Sequence, residues 1–170
     1  MPIQRLNHAV LYVRDVDASV EFYTEALGFR AVAGMPGRAM FLQAAASTND
    51  HDLGLFAMGP DAGPSAAGRS TVGLYHLAWE VDTLGELARI AGVLRERGAL
   101  VGASDHGSTK ALYARDPDGI EFEVSWLVPA DRLGGDTEMR TAPLDLDAEI
   151  ARYGADLPGG IGVSVAADRG

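Results

Sequence analysis

From Ile120 to Leu127 the chain reads "IEFEVSWL", an alternation with a period of two. As a strand it sends Ile120, Phe122, Val124 and Trp126 to one face and Glu121, Glu123, Ser125 and Leu127 to the other. The first face predicts core, and the second sets two carboxylates opposite it, shortly after a His and a Tyr. In "GLYHLAWEV" the same period groups Tyr75, Leu77, Trp79 and Val81, expected to pack on helices, against His76, Ala78 and Glu80. In "KALYARD" Leu112 and Ala114 suit the core side, which turns Tyr113 to the opposite face. A slip of one residue would bury Glu123 and expose Trp126, so the register is well specified.

Helical spacing appears twice. One stretch follows Asp15 or Asp17, either of which can cap it, with Val16, Val20, Tyr23 and Leu27 on one face and Gly28 as its stop. The other opens with Thr83 and Glu86 at capping-box spacing, aligns Leu87, Ile90, Ala91 and Leu94, and stops at Gly98. Each is preceded by a related strand, "LNHAVLYV" and "LYHLAWEV", whose His8 and His76 stand 68 positions apart (76 − 8). Each is followed by three strand-like runs: "FRAVAG", "RAMFLQAA" and "HDLGLFAM", then "ALVGA", "KALYARD" and "GIEFEVSWL". Pro and Gly in "DPDG" suit a turn that makes the last two strands a hairpin. The repeated order predicts two βαβββ modules at residues 1–58 and 71–128, joined by the linker 59–70. Residues 129–170 form a C-terminal extension with a short helix at Leu146 to Tyr153 and a mobile or partner-contacting tail, "LPGGIGVSVAADRG".

A chain of 170 residues can build one substantial core or two small modules sharing one. A net charge of −10 is the wrong sign for nucleic acid or an anionic membrane. No apolar run approaches the ~20 residues of a membrane span. The N-terminus lacks the pattern of a signal peptide, which makes the cytoplasm the expected compartment. There is no Cys, so a metal would have to be held by His, Asp or Glu.

That restriction sharpens the reading of the polar faces. A lone His in a strand is ordinarily structural or solvent-facing. Here two stand at matched repeat positions, and Glu123 also lies off the apolar face. His8, His76 and Glu123 make the two-imidazole, one-carboxylate set of non-haem Fe(II) oxygenases, whereas a fourth ligand would suit zinc, nickel or manganese. The position 68 before Glu123 is Leu55, and the nearest carboxylate to it is Asp52, so three protein ligands with open coordination are expected. Glu121, directly after the turn, and His51, in "TNDHDL", are expected to be solvated. His106 lies in a loop, where functional side chains concentrate. Met40, Phe41 and Phe56 are generic pocket-lining candidates.

"LNHAVLYVRDVDASVEFYTEALGF", "GLYHLAWEV" and "LYARDPDGIEFEV" resemble the vicinal oxygen chelate superfamily, which includes glyoxalase I, extradiol dioxygenases, epimerases and antibiotic-binding proteins; the likeness covers about residues 4–128. It implies an α+β fold, two βαβββ modules in tandem forming a curved mixed sheet around a metal site, with helices on the outer face. Within the superfamily the chain is most similar to short catechol-2,3-dioxygenase-like members, whose His, His and Glu ligands match His8, His76 and Glu123. Their Tyr, ten residues before the Glu, matches Tyr113 as a hydrogen-bonding catalytic residue. "SDHGSTKALY" resembles their "SDH" stretch and makes His106 the acid–base residue, at a shorter spacing than in two-domain enzymes. "TAPLDLDAEIARYG" looks like their C-terminal segment. The resemblance implies Fe(II), with manganese, zinc or nickel as other ions, a small catecholic substrate with O2, and a homodimer. A metal-dependent isomerase or epimerase and a ligand-sequestering binding protein are the alternatives.

Overall fold

Asp15 sits in extended conformation, and its Oδ1 accepts from the N–H groups of Asp17 and Ala18, which sets the start of α1 (Val16–Leu27). Gly28, at φ +74°, adopts the left-handed conformation that ends it. The buried stripe is Val16, Ser19, Phe22, Tyr23 and Ala26, with Val20 and Leu27 only half-buried. The expected face is thus rotated toward Phe22. The computed structural model describes residues 2–3, 5–67, 70–133 and 140–159. These form two compact units, Met1–Ala66 with Asp116–Gly119, and Ala67–Arg115 with Ile120–Gly170.

In the first unit α1 is joined by β1 (Ala9–Val13), β2 (Arg30–Met35), β3 (Ala39–Gln43) and β4 (Leu53–Ala57). The sheet order is β1-β4-β3-β2, with β1 and β4 parallel and the other pairs antiparallel. Leu11, Val13, Leu42, Leu53 and Leu55 are buried and form its core with the α1 stripe. At the sheet edge β2 is exposed along its whole length. The turn Asp116–Gly119 belongs to this unit, where Asp116 accepts from the buried Tyr23 hydroxyl (3.1 Å) and Asp118 from Arg14 (2.6 Å).

The second unit contains β5 (Leu77–Glu80), α2 (Leu84–Glu96), β6 (Leu100–Asp105), β7 (Thr109–Arg115) and β8 (Glu121–Leu127). Thr83 Oγ1 caps α2 by accepting from the Glu86 N–H (3.2 Å), while the Glu86 carboxylate turns to Arg89. Leu87, Ile90, Ala91 and Leu94 are buried as their spacing predicts. β7 and β8 form the expected hairpin, and Phe122, Val124 and Trp126 face the core. One expectation fails. β5 starts only at Leu77, so the alternation does not reach back to Tyr75, which is 68% exposed instead of packed on a helix.

The extension builds onto this unit. β9 (Ala142–Pro143) pairs with β6 to complete the order β5-β8-β7-β6-β9, and α3 spans Leu146–Tyr153, the range its sequence predicts. α3 packs beside α2, and the Tyr153 ring lies 5.5 Å from the buried Trp126 ring. Residues 160–170 of the predicted tail lie outside the described residues. Among the described residues no helix is long and apolar enough to cross a membrane.

Candidate active site

Four of the five singled-out side chains belong to the second unit. His76 immediately precedes β5, His106 lies in the turn between β6 and β7, Tyr113 is on β7 and Glu123 on β8. The β7–β8 register sets Tyr113 directly opposite Glu123, on the face turned away from Phe122, Val124 and Trp126. His76 Nε2 faces Glu123 Oε2 at 3.3 Å, and its ring lies 5.9 Å from that of Tyr113. Two ligands each about 2.1 Å from one ion stand roughly 3.0–3.4 Å apart at octahedral or tetrahedral angles. The His76–Glu123 spacing and its nitrogen–oxygen chemistry therefore fit a first-row divalent metal. His76 Nδ1 is buried and has no hydrogen-bond partner among the described residues.

On the other side of Tyr113, its hydroxyl meets His106 Nε2 at 2.9 Å. Burial and then the negative charge of Glu123 push the phenol up to about 12, so it stays a proton donor at any ordinary pH. His106 is held in turn by its Nδ1, 3.0 Å from the Arg140 carbonyl. Glu121, expected in solvent, is half-buried and lies 3.6 Å from Arg115, its cross-strand partner.

The first unit carries His8. It precedes β1 as His76 precedes β5, is exposed, and has Nδ1 2.7 Å from Asn7 Oδ1. Its ring lies 4.5 Å from His51, which lies 4.9 Å from Phe41, and Phe41 packs on Phe56. His51 was expected in solvent, but this aromatic row leaves its side chain 19% exposed. Among the described residues no three His, Asp or Glu side chains group as a complete metal site.

Strand registers refine the repeat. Ala78 pairs with Glu123 in one unit, and Val10, its counterpart 68 positions earlier, pairs with Gly54 in the other. The counterpart of Glu123 is therefore Gly54, not Leu55, which is fully buried on the core side. Phe41 pairs with Gly54 as Tyr113 pairs with Glu123. The duplicated positions thus hold a carboxylate and a phenol in one unit, a glycine and a phenyl in the other.

The sequence reading missed Asp105, Lys110 and Arg140. Lys110 shares the core side of β7 with Leu112 and is 0% exposed. A lysine in register with core positions was the available signal.

Comparison with known proteins agrees with this architecture. The family model described as the Glyoxalase/Bleomycin resistance protein/Dioxygenase superfamily matches residues 5–124, and the chain belongs to that superfamily. It is 29% identical over 156 residues to catechol-2,3-dioxygenase of Bacillus subtilis, covering 88% of this chain and 52% of that protein. It is 34% identical over 121 residues to biphenyl-2,3-diol 1,2-dioxygenase 3 of Rhodococcus globerulus, covering 71% and 62%. A virulence protein of Salmonella typhimurium is 31% identical over 133 residues, covering 75% and 88%. The crystal structure of that virulence protein superposes with a TM-score of 0.53 over 75% of this chain and 100% of its own, at 28% identity. The chain thus spans 52% to 62% of the two dioxygenases' length.

Proposed function

We propose that the protein is an Fe(II)-dependent extradiol dioxygenase that opens the ring of a small catechol with O2, its metal held by His8, His76 and Glu123. The observation that carries this reading is the row His76–Glu123–Tyr113–His106 in the second unit, an imidazole–carboxylate pair next to a protonated phenol and a second imidazole. Similarity to two ring-cleaving dioxygenases supports it. Bound Fe(II) would supply electron transfer between substrate and O2, chemistry that no side chain here can perform. Tyr113 donates a hydrogen bond to an oxygen of the bound substrate. His106 takes a proton at Nε2 and returns it. Gly54 at the position matching Glu123 weighs against the four-ligand isomerase alternative.

The test is O2 uptake, with appearance of a yellow ring-opened product, over a panel of catechols after anaerobic loading with Fe(II). Uptake that disappears in Glu123→Ala, together with bound iron, supports the ligand set and the reaction. Iron bound without uptake on any catechol rejects the reaction. Failure to bind iron rejects the Fe(II)-dependent reading.

A further inference from the structure

The hydrogen bonds around His106 lead away from the open face into the C-terminal extension. His106 Nδ1 lies 3.0 Å from the Arg140 carbonyl, with Thr141 Oγ1 at 3.4 Å. A carbonyl oxygen can only accept, so Nδ1 must carry a proton. In neutral His106 the lone pair then sits on Nε2, turned toward the Tyr113 hydroxyl at 2.9 Å. In protonated His106, Nδ1 still donates to the same carbonyl, so Nε2 is the nitrogen that exchanges its proton in either case.

The carbonyl is itself anchored. The Arg140 guanidinium donates to Asp105 Oδ2. Asp105 Oδ1 accepts from the Gly107 N–H (2.8 Å) and from Lys110 Nζ (2.6 Å). The buried Lys110 also pairs with Glu149 of α3 at 3.1 Å. Burial works to raise the Asp105 pKa, but Lys110, the Gly107 N–H and Arg140 outweigh it and hold the group at about 2, ionised and available to both cations. β9, which pairs with β6 at Ser104 and Asp105, fixes the same segment beside the His106 turn.

We propose that Arg140 is a positioning residue: its guanidinium, clamped on Asp105, holds its own carbonyl against His106 Nδ1 and so keeps Nε2 as the proton-exchanging atom facing Tyr113. The catalytic consequence rests on the dioxygenase reading, whereas the tautomer does not. On this account the C-terminal extension is part of the site, through a carbonyl that side-chain matching cannot reveal.

The test reads the imidazole tautomer by 15N NMR on the full chain without added metal, at about pH 8. The chain has only four histidines, and the His106 signals are assigned by their loss in His106→Gln. The expected result is Nδ1–H in the unaltered chain and a roughly fivefold shift toward Nε2–H in Arg140→Ala, with Arg140→Lys keeping the original tautomer. Arg140 is half-exposed at its side chain, 53%, and if Arg140→Ala still fails to fold, the neutral Arg140→Gln serves the same comparison. An Nε2–H form in the unaltered chain, or an unmoved tautomer in the Ala or Gln variant, overturns the proposal. In parallel, kcat on a catechol should fall about tenfold with KM held, and recover in Arg140→Lys. A moved tautomer with unchanged kcat overturns the positioning role. A moved tautomer in a chain that cleaves no catechol upholds the clamp and removes the dioxygenase reading instead.

Discussion

Tyr113 owes its chemistry to its two neighbours. Burial and then Glu123 across the strand keep the phenol protonated, and His106 Nε2 stands 2.9 Å from its hydroxyl. Tyr113→Phe should leave the fold and metal content intact while lowering kcat roughly tenfold to a hundredfold, measured by O2 uptake on Fe(II)-loaded protein. The same phenol makes an alkaline prediction. Its folded-state pKa of about 12 lies above the unfolded value of about 10. Its stabilisation is therefore complete below about pH 10 and is lost as pH rises toward 12. Denaturant midpoints should fall over that range, and the fall should be shallower in Tyr113→Phe. His106→Ala should lose turnover while retaining iron; unchanged turnover would reject its acid–base role. Tyr113 and Glu123 could be placed on one face from periodicity, because a strand's period of two leaves no other choice once Leu112, Val124 and Trp126 are core. The partner of His106 Nδ1 was not legible. A backbone carbonyl 34 residues away has no side-chain signature.

The helix starts follow from their caps, but the element that closes the second unit depends on a buried charge. Lys110 lies under α3 with its ammonium between Asp105 and Glu149. Removing it leaves two carboxylates near each other and largely out of water. Lys110→Ala should cost roughly 3–5 kcal/mol, read by denaturant unfolding. Asp105 titrates in the opposite sense to Tyr113. Its pKa of about 2 lies below the unfolded value of about 4, so its contribution is complete above pH 4 and is lost as pH falls through 2. Acid should therefore release the extension, an effect visible as faster amide exchange in α3 and weakened in Asp105→Asn. The length and position of α3 were readable from its own residues, since Asp145 caps it by accepting from the Ala148 N–H. What α3 covers was not readable, because Lys110 is distant in sequence and resembles a solvent-facing residue in isolation.

At the scale of the chain, the extension completes the second unit and is not an appendage. Trp126, fully buried, packs on Tyr153, and Gly85 N–H donates to the Ala155 carbonyl (2.9 Å). A chain ending at Pro129 should unfold at lower temperature than the intact one, with Trp emission shifted to longer wavelength as Trp126 meets water. Equal melting and emission would reject that role. Periodicity, caps and the 68-residue offset were enough by themselves to determine two βαβββ modules, the core faces of β7 and β8, and the shared face of Tyr113 and Glu123, because these depend on local geometry repeated along the chain. Only the tertiary structure decided that Gly54 is the counterpart of Glu123, that Glu149 of α3 pairs with Lys110, and that Arg140 holds His106. Those outcomes depend on strand register and on contacts between distant residues, where a shift of one position changes the partner and no local period records it.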